Sequence, residues 1–369
     1  MSVRIDADIP GGNIIVESID DRTIVLRKDL RDTHGQWFFW KFRARFDTVG
    51  DYHFRIGEGP SIGPRGPAVS ADQGLSWDFL GRDCVNYQDE SFVYHCADAP
   101  QERLFCVCIP YLQSDLERFL QTQPAGAIRV DTLCRTRQGR AVELLSIGKP
   151  EAPKRLLLTC RHHANESMAN FVIEGIISEF VAKPDRYRDI FTRVVPFVDK
   201  DGVENGDQGK NRWPHDHNRD YGPLTVHIET RAIMTLVERE QQHLMIDLHC
   251  PWLRGKDNEA VYFVGKNNPR LQAGIERFSQ LLSEEAPPQA PHFTSDDIPF
   301  GSSWNTGGNY AQGKGFTLWA GENSWEPDSM SVEIPFATAH GQPFDRAGAR
   351  DLGRAFARSI CRFLGLDNA

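Results

Sequence analysis

The chain is 369 residues long, 40% hydrophobic and 25% charged, which predicts about two packed domains and argues against extensive disorder. Its 51 acidic residues outweigh 42 basic ones to leave a net charge of −9, so that polyphosphate and anionic lipid are repelled and neither a nucleic acid nor a membrane is expected as partner. No run approaches the roughly 20 apolar residues of a bilayer span, and MSVRIDADIPGG lacks a basic-then-apolar leader, so a soluble, cytoplasmic protein is expected.

In chain order, the first elements are short runs with strand character: NIIVESI, RTIVLRK, WFFWKFRARF, YHFRIG and RLFCVCIP. Within WFFWKFRARF, Phe42 and Phe46 alternate with Lys41, Arg43 and Arg45, which predicts a strand with one face on a core. Several such strands without a long amphipathic helix predict an antiparallel β-sandwich over residues 1–122. IPYLQSDLERFLQTQ reads as a helix leading out of it. Eight scattered cysteines, several inside apolar runs, read as buried reduced thiols, and the Cys106/Cys108 pair lacks the second pair a zinc ribbon needs.

From residue 123 to residue 369 the pattern becomes strands interleaved with long helices. RLLLTC is a continuous apolar run, expected of a strand covered on both faces, and SMANFVIEGIISEFVAK follows as a helix. Further strands are expected at VVPFV, HLMIDLH, AVYFVG, GFTLWA and SVEIPF. Helices are expected at TVHIETRAIMTLVEREQQ, NPRLQAGIERFSQLLSEE and FDRAGARDLGRAFARSICRFLG. The alternation predicts an α/β unit, a parallel or mixed sheet flanked by helices, with its ligands bound where strands end.

Polar residues gather at those strand ends. His163 and Glu166 stand three apart in RHHANES, directly after RLLLTC, a spacing that lets both reach one metal. By themselves they read rather as a helix start with an acidic first turn. Neighbouring His162 has no glutamate at the third position. His249 ends HLMIDLH and could complete a ligand set, or be a hydrogen-bonded histidine at a strand end. Between VVPFV and the next helix lies a long loop, DKDGVENGDQGKNRWPHDHNRDYG, rich enough in Gly, Asp, Asn and Arg to be functional rather than a simple connector.

Taken together, HxxE after a strand, then VDKDG, then DHNR, then a strand ending in histidine resembles the M14 family of zinc metallocarboxypeptidases. WFFWKFRARF, GPAVS and IPYLQSDLERFL are similar to the β-sandwich of that family's cytosolic branch, so the resemblance covers most of the chain. It implies a sandwich followed by a carboxypeptidase-like sheet, and one Zn²⁺ per chain held by His163, Glu166 and His249. Asp216 would orient His163 from behind the metal. Asn218 and Arg219 would hold the free carboxylate of a peptide or small amide substrate, and Tyr310, in GGNYAQG, would close over it or be an ordinary loop aromatic. GDQGKNR departs from the family's Gly-Asn-x-Arg, which leaves the oxyanion-stabilising cation as Lys210 or Arg212, with Lys210 preferred. The general base is Glu333 or, as a competitor, Glu322 in WAGENSW. The implied reaction is water attack on a C-terminal amide with release of one amino acid. The alternatives are an amidase or deacylase of N-acyl amino acids, and a catalytically silent binder of peptide C-termini.

Overall fold

Alternating runs in the first hundred residues fold into two facing sheets. The computed structural model describes residues 2–57 and 59–366. Its first ten strands are β1 (Val3–Asp6), β2 (Ile15–Asp20), β3 (Thr23–Arg27), β4 (Lys41–Phe46), β5 (Gly50–Gly57), β6 (Ala68–Ser70), β7 (Asp78–Phe79), β8 (Val85–Asn86), β9 (Ser91–Cys96) and β10 (Gln101–Cys106). They form sheets of order β1-β4-β10-β6-β7 and β2-β3-β5-β9-β8. All pairs are antiparallel except β3 with β5, because the chain crosses to the other sheet as β4 and returns from the same end. Phe42 and Phe46 of one sheet meet Phe54 and Tyr94 of the other, with ring centroids 5.8 and 5.0 Å apart. On the outer side of β4, Arg43 and Arg45 pair with Asp6 and Glu102. Lys41, expected on that outer side, is buried instead, and its ammonium donates to the Pro10 carbonyl at 2.7 Å.

Helix α1 (Gln113–Gln121) leads to a seven-stranded sheet made of β11 (Arg129–Arg135), β12 (Ala141–Ile147), β13 (Lys154–Cys160), β14 (Ile190–Val195), β15 (Leu244–His249), β16 (Tyr262–Phe263) and β17 (Asp328–Glu333). The order is β11-β12-β14-β13-β15-β17-β16, with β14, β13, β15 and β17 mutually parallel. It carries helices α2 (Met168–Ala182), α3 (Lys200–Asn205), α4 (Ile228–Glu240), α5 (Pro269–Glu285), α6 (Phe316–Gly321) and α7 (Arg346–Phe363). Continuous apolar runs are explained by burial on both faces. Leu156, Leu158, Leu244 and Ile246 enter the core shared with α2, α5 and α7, whereas Leu157 and Met245 join Ile233, Leu236 and Phe316 on the other face. Helices α2 and α7 cross in close contact: a Cβ on Gly353 would stand 2.1 Å from the Val172 carbonyl oxygen.

Two expected strands differ. GFTLWA forms α6, with Phe316 and Ala320, four residues apart, entering the core on one face; a six-residue apolar run does not separate helix from strand. AVYFVG contributes only the two residues of β16. The eight cysteines are free thiols, six of them buried. Among the described residues no helix is long and apolar enough to cross a membrane.

Candidate metal centre

Strand β13 ends at Cys160, and Arg161 then takes a left-handed conformation, φ 61°, which costs a non-glycine residue on the order of 1–2 kcal/mol. Its buried guanidinium holds the turn by donating to the carbonyls of Ala164 and Tyr111 and to Asn170 Oδ1. That turn presents His163 Nδ1 2.8 Å from Glu166 Oε1. Parallel pairing brings the end of β15 alongside, and His249 Nδ1 lies 2.8 Å from Glu166 Oε2. All three side chains are buried.

Each imidazole is backed by a carboxylate. His163 Nε2 is 3.6 Å from Asp216 Oδ1, and His249 Nε2 is 2.6 Å from Asp247 Oδ2. Asp247 was not singled out from the sequence, where it is one more polar residue inside an apolar strand. Its other oxygen accepts from Thr159 Oγ1 at 2.7 Å and meets His162 Nδ1 at 2.8 Å. His162 Nε2 contacts the Tyr221 hydroxyl at 2.6 Å. With both nitrogens occupied and no exposure, His162 is a structural residue, although it also clusters with Asp247 and His249.

The trio of His163, Glu166 and His249 suits a cation in donor type and in charge. Burial would lower the His249 pKa, but Asp247 and Glu166 raise it well above the ordinary histidine value. Burial would likewise raise Glu166, yet His163, Lys210 and His249 hold it well below the usual carboxylate range. Negative charge thus converges between two imidazole nitrogens and a carboxylate, the donor set of a hydrolytic zinc site.

The trio opens into a pocket of about 380 Å³ whose wall includes His163, His249, Lys210, Asn218, Arg219, Tyr310 and Glu333. Arg219 is pinned by its Nε to the Asn309 carbonyl (2.9 Å) and by Nη1 to the Asn218 carbonyl (2.8 Å), with the Tyr310 ring 5.0 Å away. Among the described residues its Nη2 donates to nothing. Asn218 Oδ1 accepts from the first amide of α6 at 2.9 Å, which fixes its side chain at the pocket wall. Tyr310 donates its hydroxyl to Asn305 Oδ1 at 3.1 Å.

Lys210 and Arg212 diverge. Lys210 Nζ is 3.0 Å from Glu166 Oε1 and 5.0 Å from the Trp37 ring, on the pocket wall. Arg212 is off that wall, bound to Asp32 (3.1 Å), Asp199 (2.8 Å) and Asp207 (2.9 Å), so no part of its charge is free for a substrate carbonyl. The sandwich side of the molecule sets this loop. Asp32 accepts from the amides of Gln208 and Gly209, and the Gln208 side chain bonds the backbone of Phe39 at both ends. Gly209 (φ 81°) is required because a Cβ there would stand 2.0 Å from the Ala164 nitrogen, in the turn that carries His163 and Glu166.

One consequence is a pH-dependent stability. Burial, then the neighbouring Asp32, push the Asp207 carboxyl up to about 7. The folded state therefore keeps a proton that the unfolded chain releases near pH 4, so stability falls as pH rises from about 4 to about 7. Asp207→Asn is expected to raise the unfolding free energy at pH 8 by on the order of 1–3 kcal/mol and to gain little at pH 4.5, read by chemical denaturation; equal gains at both pH values would contradict it.

Glu333 ends β17 directly opposite His249 in the β15–β17 register. Its Oε2 is buried without a hydrogen-bond partner among the described residues. Burial, together with the charge of Glu166 and against the pull of His249, raises its pKa. Glu322 is exposed at the end of α6 and pairs with Lys314. Trp37, Trp252 and Lys266 also line the pocket, and no local pattern marks them in the sequence.

No family model and no curated protein matches the sequence. Solved structures do match its fold. A metallo-carboxypeptidase from Burkholderia cenocepacia aligns over 99% of both chains at 17% identity and a TM-score of 0.81. A metallo-carboxypeptidase from Pseudomonas aeruginosa, in complex with (2-guanidinoethylmercapto)succinic acid, aligns over 98% of this chain and 99% of its own, at 19% identity and a TM-score of 0.77. The fold is that of metallo-carboxypeptidases.

Proposed function

We propose that this chain is a zinc metallocarboxypeptidase of the cytosolic carboxypeptidase-like branch, acting in the cytoplasm on peptides or small amides with a free carboxylate. The observation that carries the reading is the placement of Glu333, a buried carboxylate with an unpartnered oxygen, at the register position paired with His249 on the same pocket wall. One Zn²⁺ bound by His163, Glu166 and His249 would supply Lewis acidity at the scissile carbonyl and acidify water. Glu333 takes a proton from the attacking water and returns it to the departing amine, a role that its raised pKa suits. Lys210 offers its ammonium to the carbonyl oxygen as negative charge develops there. Arg219 and Asn218 hold the substrate's carboxylate, the Arg219 Nη2 being the donor left free for it, and Tyr310 covers that end. Asp216 and Asp247 keep the two imidazoles in the tautomer that leaves Nδ1 for the metal. The unit 1–122 shapes the rim through Trp37 and sets the Lys210 loop through Asp32. A substituted succinic acid in the Pseudomonas protein fits a site of this type that receives carboxylates.

Elemental analysis of the purified chain combined with a hydrolysis screen over blocked dipeptides and N-acyl amino acids tests the reading. About one zinc per chain and release of a free C-terminal amino acid are expected. Cleavage confined to N-acyl amino acids would instead identify a deacylase. Stoichiometric zinc without any hydrolysis would leave a binder of peptide C-termini.

A further inference from the structure

A second set of metal-type donors lies outside the pocket. One nitrogen each of His217 and His227 and one oxygen of Glu229 fall within 4.8 Å of one another, and none of the three residues is on the pocket wall. Local structure explains their meeting. The single turn His217–Arg219 follows Asp216, and while Asp216, Asn218 and Arg219 reach the pocket wall, His217 is buried away from it. Asp220 then accepts from the amides of Val226 (2.8 Å) and His227 (3.0 Å), which closes the loop onto the start of α4, where Glu229 is buried in the first turn. The His217 and His227 rings stack with centroids 3.8 Å apart. The fold leaves their polar atoms over. His227 Nε2 donates to the His215 carbonyl at 3.0 Å, so its Nδ1 carries a lone pair, and it caps no amide of α4. Among the described residues neither nitrogen of His217 makes a hydrogen bond: Nδ1 is 3.9 Å from Asp199 Oδ2, and Nε2 is 3.6 Å from Glu229 Oε2. Asp199 has its own cation in Arg212 at 2.8 Å. The Glu229 carboxylate, among the described residues, meets no hydrogen-bond donor. A buried imidazole and a buried carboxylate left this far apart cost folding free energy and return nothing structural, so an ion between them is the partner to seek.

We propose that His217, His227 and Glu229 form a second metal site, which takes Zn²⁺ or a divalent ion of the same ligand preference and exchanges it with solvent. Two imidazole nitrogens and one carboxylate oxygen suit such an ion, whereas Mg²⁺ and Ca²⁺ require a shell of oxygens. Each ring already has the group found behind a metal-bound histidine, the His215 carbonyl for His227 and the Asp199 carboxylate for His217. His227 is only half-buried, which gives the ion a way in and out. Bound there, the ion ties the turn that carries Asn218 and Arg219 to the start of α4, a structural clamp behind the pocket rather than a second reaction centre. The inference does not depend on the carboxypeptidase reading, because it uses none of His163, Glu166, His249 or Glu333.

The test is a calorimetric titration of ZnCl₂ into the dialysed full chain, with elemental analysis of the same samples to count metal already retained. His227→Asn and Glu229→Gln are compared with wild type. Asparagine is a good residue for the start of α4, and glutamine keeps the shape of Glu229, so that either variant decides should the other fail to fold. Counting retained and titrated ions together, wild type is expected to take one Zn²⁺ more than either variant, or to bind that last ion at least about 10²-fold more tightly. MgCl₂ and CaCl₂ should give no such difference. Excess Zn²⁺ should raise the thermal midpoint of wild type more than that of the variants. Equal zinc totals with equal affinities in wild type and a folded variant overturn the proposal, as does an extra ion that Mg²⁺ or Ca²⁺ supplies equally well. Because the residues of the pocket are intact in all three proteins, the difference of one ion is read whether or not the chain hydrolyses any peptide.

Discussion

Alanine at His249 is expected to leave a protein that no longer retains zinc through dialysis and hydrolyses no peptide. His249 supplies one of two imidazole Nδ1 atoms, and each approaches a separate oxygen of Glu166 at 2.8 Å. Two ligands bind a divalent ion far less tightly than three. The substitution also strips Asp247 Oδ2 and Glu166 Oε2 of their partner. Removing one partner of a buried ion pair is destabilising, so a lowered thermal midpoint should accompany the loss of metal. His162→Ala serves as the comparison, since His162 touches Asp247 and Tyr221 and is not on the pocket wall. It should lose stability while keeping its zinc. The measurement is elemental analysis of both variants beside wild type, and a His249→Ala protein with undiminished zinc would refute the ligand set.

Glu333→Gln is the second large effect, and of the opposite kind. Zinc content should stay at the wild-type level, because among the described residues Glu333 makes no hydrogen bond to His163, Glu166 or His249, while kcat falls by about 10²- to 10⁴-fold, the usual worth of a general base. KM should change little, as Arg219 and Asn218 are untouched. Burial already raises the Glu333 pKa, so a neutral amide of the same shape should fold at least as stably, and chemical denaturation can show this. Glu322→Gln, at the exposed ion pair with Lys314, should leave kcat/KM unaltered. Retention of wild-type turnover in Glu333→Gln would remove the base assignment and reopen the choice of carboxylate.

These two substitutions also mark how far reading the sequence reached. His163 and Glu166 could be picked out because both lie in one turn between RLLLTC and a helix, where a spacing of three survives folding intact. His249 could be picked out because it ends an apolar strand in a sheet whose strand ends converge. Asp247 could not, since a single acidic residue inside LMIDLH gives no sign that it will bridge His162 and His249. The Lys210 and Arg212 pair was undecidable locally. They stand two residues apart in a glycine-rich loop, and their separation depends on Asp32, far away in the chain, which holds Arg212 and the amides of Gln208 and Gly209. Lys266 and Trp37 carried no signal, because each reaches the pocket only after distant segments close around it.

The sequence by itself determined the layering of this protein and the local chemistry of its strand ends. Apolar alternation and apolar runs record which faces meet water, and short spacings are preserved within a single turn or strand. Tertiary structure alone decided which cation faces the pocket, which glutamate stands beside His249 and what lies at the pocket's far wall. Those outcomes depend on the parallel register of β15 with β17 and on loops from both halves of the chain meeting at one edge. Neither is encoded within the few residues over which a sequence pattern can be read, because a sheet register is settled by the sum of contacts along whole strands.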